Sequence, residues 1–165
     1  MAQTVFGQTD ALALSIAAWL NTFPLSMPIK AQRRFVLIDT APALPDVNSP
    51  VQVDIFPDIE ICDRQGVSPA FASHYAVHLF IQQRLTGAAN EDAQCALLTQ
   101  LRSQIIEGMK PWPGFQIPNA VNVPSQGLYL VQVKNADQKG LYDLARLLGQ
   151  HVYASDTILV FRAAV

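Results

Sequence analysis

Between Val51 and Met109 the chain carries two alternating runs followed by one helical stripe, and this order leaves few folds open. Val51-Gln52-Val53-Asp54-Ile55-Phe56 alternates apolar and polar residues, the period of a strand with one buried face. Ser73 to Gln83 alternates again and puts Tyr75, Val77, Leu79 and Ile81 on a single face. Pro57 to Phe71, between them, is too long for a tight hairpin and is rich in charge and turn residues, so it reads as a loop. After Thr86-Gly87, Leu97, Leu98, Leu101, Ile105 and Met109 follow helical spacing and can lie across the sheet those strands begin. A strand pair with a helix laid over it predicts an α+β core.

The flanking sequence extends that core. Thr9-Asp10 offers a capping oxygen and an acid for a first helix, and Leu12, Ile16, Trp19, Leu20 and Phe23 continue it until Pro24 and Pro28. Phe35-Val36-Leu37-Ile38 is an apolar run of strand length, entered through the basic patch Lys30 to Arg34. Thr40 to Pro50, with three prolines, reads as an extended loop. Asn90 precedes Glu91 and Asp92 and predicts the cap of the central helix, with Gly108 and Lys110-Pro111 at its end. Leu128 to Val133 and Thr157 to Phe161 are further strands, separated by a short helix through Leu141, Leu144, Ala145 and Leu148 that Gly149 should end. The expectation is one domain over residues 1–165: a mainly antiparallel sheet of about four to five strands against an N-terminal and a central helix. A Pro-rich insertion, about 110–126, carries Trp112, Phe115 and Ile117, which either fold back on the core or meet a neighbour.

Composition narrows the function classes. The chain has 165 residues, half of them hydrophobic and 15% charged, which suits either a well-packed monomer or a subunit buried in an assembly. A net charge of −2 gives no electrostatic case for nucleic acid. No apolar run approaches the ~20 residues of a membrane span, and the start lacks the pattern of a signal peptide. Cys62, in the predicted loop, and Cys95, in the helix, fit neither a metal motif nor a redox pair and are expected as two free thiols.

The residue types that could do chemistry do not assemble into a motif. His74 and His78 stand four apart, but in a strand that spacing puts them on one face about 13 Å apart, too far to chelate one ion; they are expected at a surface or an interface. Asp54, Asp58, Glu60 and Asp63 form an acidic series without the order of a calcium loop, so they read as a charged loop that could match a basic partner surface. There is no Gly-x-Ser-x-Gly elbow, phosphate-binding glycine loop or dinucleotide fingerprint. The sequence therefore predicts a protein without enzymatic activity, cofactor or metal.

Taken in order, Val51-Gln52-Val53-Asp54-Ile55-Phe56-Pro57, Tyr75 to Leu85, the helix Leu97 to Ile105 and the closing Val152 to Phe161 resemble the tail-terminator and neck proteins of tailed bacteriophages. In that group a Val-Phe-Pro strand end, a strand leading to a polar turn, a helix and a final "aromatic, x, Ser" strand recur in this order. The Pro-rich stretch 111–126 and the loop 39–50 depart from the pattern. The resemblance implies a structural virion protein, assembled in the host cytoplasm, that closes into a ring of six copies. Such a ring caps the tail tube and joins it to head-closure proteins, with no direct nucleic-acid recognition and no membrane. Another neck component of the same fold, a head–tail connector or tail-completion protein, is the nearest alternative. A monomeric adaptor using the Trp112 loop, and a small enzyme using His74, His78 and the acids near Asp58, come after it.

A ring repeats one heterologous contact around a circle. On that reading Lys30, Arg33 and Arg34 are expected to meet Asp58, Glu60 and Asp63 of the next copy, with Trp112 and Phe115 adding apolar contact.

Overall fold

The structure, a computed structural model, describes residues 6–36, 43–64, 71–110, 128–135 and 141–163. The elements run α1 (Phe6–Leu20), β1 (Ile29–Arg33), β2 (Val51–Arg64), β3 (Phe71–Arg84), α2 (Glu91–Met109), β4 (Leu128–Asn135), α3 (Leu144–Gln150) and β5 (Val152–Ala163). The five strands form one sheet in the order β1-β2-β3-β5-β4, with β1 parallel to β2 and the other three pairings antiparallel. The fold is α+β.

One face of the sheet is the core. Val51, Val53 and Ile55 of β2, Tyr75, Val77, Leu79 and Ile81 of β3, and Tyr153, Leu159 and Phe161 of β5 are buried on it. Against them lie Leu12, Ile16 and Leu20 of α1 and Leu98, Leu101, Ile105 and Met109 of α2. Asn90 caps α2 as its sequence predicts, its side chain accepting from the Ala93 N–H at 3.1 Å. Arg102 of α2 is buried in the same layer and donates to Thr157 Oγ1 at 2.8 Å and Asn135 Oδ1 at 3.0 Å, tying the helix to β5 and β4. Gly108 leaves room for two rings at the end of α1: a Cβ there would stand 2.7 Å from Phe23 Cζ and 3.0 Å from Trp19 Cη2. Those two rings stack at 4.5 Å over the glycine.

Several boundaries differ from expectation for identifiable reasons. α1 begins at Phe6, before Thr9-Asp10. The first strand is Ile29–Arg33, and Phe35 and Val36 lie beyond it, exposed, while Leu37 and Ile38 fall outside the described residues. Register explains this: Ile29 to Arg33 match Val51 to Ile55 one for one. Arg33 and Arg34 then pair with Asp10 and Asp54, and Phe35 turns out under the Arg33 guanidinium at 4.5 Å.

Pro57 to Arg64 is strand, not loop, so Asp58, Glu60, Cys62 and Asp63 all stand on β2. The register steps from Pro57↔Val77 to Glu60↔Tyr75, which inserts one extra residue as a bulge. Proline is tolerated because β1 has ended opposite Ile55, so that among the described residues no strand on that side needs an N–H from it. β5 is longer than predicted and begins at Val152. α3 runs past Gly149 to Gln150, and its left-handed cap is His151 at φ 53°. The stripe Leu141, Leu144, Leu148 faces outward, because Tyr142 and Leu147 turn to the core instead.

Candidate functional site

The second face of the sheet holds the polar chemistry. At its β1 end, segment 43–50 folds over the strands: Leu44 is buried with Val152 and Ala154, and Phe80 packs beside them. The Pro45 carbonyl accepts from the Arg84 N–H at 2.9 Å. Gln52 lies beside this cover, and it and Asp54 are buried although alternation alone assigns both to solvent. Asp54, fully buried, accepts from Arg34 Nε at 3.0 Å and Gln52 Nε2 at 2.6 Å. A carboxylate withdrawn from water needs such partners, so Arg34 is fixed in place by the fold. Gln82, opposite Gln52, is fully buried with neither end of its amide hydrogen-bonded.

Further along the same face the cover ends and a three-strand network begins. His78 on the central strand β3 stands between Asp58 on β2 and Asp156 on β5. Its Nδ1 lies 2.8 Å from Asp156 Oδ1 and its Nε2 lies 3.1 Å from Asp58 Oδ2. When protonated, the ring can donate from both nitrogens, one to each carboxylate. The hydrogen bond to Asp156 is the main cause that holds its pKa above the ordinary histidine value; partial burial pulls the other way, and the charges of Asp156 and Asp58 add to the rise. Side-chain exposures of 26% for His78, 30% for Asp58 and 21% for Asp156 place the network at the surface without giving it to bulk water. Phe56 and Phe80 meet edge-to-face at 6.2 Å on the same side.

The predicted interface residues separate accordingly. Arg33 bonds Asp10 at 2.7 Å, Arg34 bonds Asp54, and Asp58 bonds His78, so three of the charges expected to meet a neighbouring copy have partners within the chain. Lys30 is exposed and lines, with Gln32 and Arg34, a cleft of about 360 Å³ between β1 and segment 43–50. The side chains of Glu60, Cys62 and Asp63, and all of Trp112, Phe115 and the stretch 111–127, lie outside the described residues. Cys95 is a free, half-buried thiol whose pKa is pushed up by burial first and by Asp92 and Glu91 second.

Sequence reasoning placed His78 on the outward face and named Asp58, but missed Asp156. That acid lies 98 positions beyond Asp58, on a strand whose predicted start, Thr157, excluded it. Among the described residues no group of His, Cys, Asp and Glu is arranged to hold a metal ion, and no helix is long and apolar enough to cross a membrane.

The two edges of the sheet differ in finish. On β1, Asn21 takes both backbone groups of Ala31, its Nδ2 donating to the carbonyl and its Oδ1 accepting from the N–H, each at 2.9 Å. On the opposite edge, β4 leaves Val131 and Val133 exposed, and the Asp143 N–H bonds the outward Ala154 carbonyl to seat α3 on the same side of β5. There Leu144 and Leu148 are 54% and 72% exposed. Compared with known proteins, the chain matches no family model and no curated protein.

Proposed function

We propose that this chain is a structural subunit of a tailed-bacteriophage virion, a tail-terminator-like protein that closes into a ring between tail tube and head-closure proteins. The observation that supports it is the contrast between edges: one is closed by Asn21, and the other presents valines and leucines to solvent. Apolar side chains grouped along one edge suit a partner surface, and a heterologous contact with a different face of the next copy generates a ring. A neck component of the same fold is the alternative within the same class, and none of these features separates the two.

Light scattering and negative-stain images of the purified protein test this. A uniform ring is expected. Leu144→Glu with Leu148→Glu should reduce it to single subunits while leaving the melting of the subunit within about 1 kcal/mol of the parent, since both side chains are exposed. A protein that stays monomeric at high concentration fits the adaptor reading and removes this one. Incorporation at the head-proximal end of tail tubes, seen by antibody labelling of virions, separates a terminator from other neck components.

A further inference from the structure

The geometry points to the Asp58–His78–Asp156 network as a proton-controlled clamp that fixes the outer arm of the β2–β3 hairpin to β5. Three observations combine. Asp58 lies within the bulge, between Pro57 and Glu60, where β2 and β3 lose their one-to-one register. Among the described residues β2 pairs beyond that bulge with β3 alone, because β1 ends opposite Ile55. His78 is the residue of β3 that reaches both flanking strands, with Asp58 on one ring nitrogen and Asp156 on the other. The imidazolium therefore joins β2 to β5 across β3, just before the arm formed by Glu60–Arg64 and Phe71–Ser73, beyond the last β3 residue paired with β5, His74.

A neutral ring cannot do this. It keeps one N–H, so one carboxylate then faces a lone pair and is released. Asp156 makes the shorter contact, and Asp58 is therefore the end that lets go. The bulge loses its side-chain anchor while the core below, Val77 and Leu79 against α1 and α2, is untouched. The folded-state pKa is raised, so the clamp is complete below the ordinary histidine pKa and is lost as pH rises through the folded value. Among the described side chains the other charges on this face are placed elsewhere. Asp54 is held by Arg34, Arg162 lies opposite His74, and Lys134 lies opposite Ile158 on β4.

Hydrogen exchange resolved by residue on the full-length protein, corrected for intrinsic rates, tests the clamp between pH 5.5 and 8.5. Protection of the arm should fall roughly three- to fivefold at the higher pH, the scale of one part-exposed ion pair, while Val53, Ile55, Leu79 and Ile81 hold theirs. His78→Gln and Asp58→Asn should show the weakly protected arm at both pH values, and His74→Gln should keep the parent's response. An arm that follows the rest of the sheet with pH, or a pH response that survives in His78→Gln, overturns the clamp. If His78→Gln does not fold, the parent's pH series and Asp58→Asn decide the matter alone. Neither outcome depends on whether the chain forms rings.

Discussion

The two faces of this sheet are made by the same strands, yet they are held by different physics. Under α1 and α2 the alternating pattern is mostly apolar, with Tyr75, Val77, Leu79, Ile81, Leu159 and Phe161 all buried and Thr157 held by Arg102. On the other face the interleaved positions include Gln52, Asp54, Asp58, His78 and Asp156, which depend on partners, and Gln82, whose amide has none among the described residues. Burial of apolar area is additive and tolerant of small shifts. A buried polar network is neither, because each lost partner exposes the desolvation cost of the other. The first face decides whether the chain folds; the second decides how the strands sit relative to one another and how that depends on pH.

Truncating the apolar face should have the largest effect. Phe161→Ala removes a fully buried ring from the contact of β5 with the core and is expected to cost about 3–5 kcal/mol by denaturant unfolding. A loss below about 1 kcal/mol would mean that this face is not the principal source of stability.

On the polar face, Arg34→Met should cost about 2 kcal/mol, because it strands the fully buried Asp54 carboxylate with Gln52 as its remaining partner. Changing both, Arg34→Met with Asp54→Leu, should recover most of that loss. A double variant as unstable as the single one would show that the pair contributes more than mutual compensation.

Gln82 gives the comparison its opposite sign. Its amide is buried and unpaired, so Gln82→Met, of similar volume, is expected to stabilise by about 1 kcal/mol. Destabilisation of that size would mean the amide is satisfied by bound water. The smallest effect is the pH dependence of His78. Global stability should decline by less than about 1 kcal/mol as pH rises through its raised pKa, since its partners are part-exposed. His78→Gln should flatten that slope in an unfolding series from pH 5.5 to 8.5.

The sequence by itself determined the inner face. Alternation in β2 and β3, the stripe of α2, its Asn90 cap and the α+β class all follow from side-chain periodicity and local capping, which act over a few residues. It also placed His74 and His78 on the outward face, since strand parity needs no knowledge of neighbours. Only the tertiary structure decided what that outward face does. Gln52 is buried beside the returning segment 43–50 and Asp54 against Arg34, and α3 turns Leu144 and Leu148 outward because Leu147 and Tyr142 fill the core first. Asp58 was read as a loop acid because Pro57 signals a turn, yet a proline fits where β1 has already ended and a bulge absorbs the extra residue. Asp156 joins His78 because β5 lies beside β3 in a particular register. Such long-range pairing is set by the packing of the whole sheet, and no local pattern of charges encodes it.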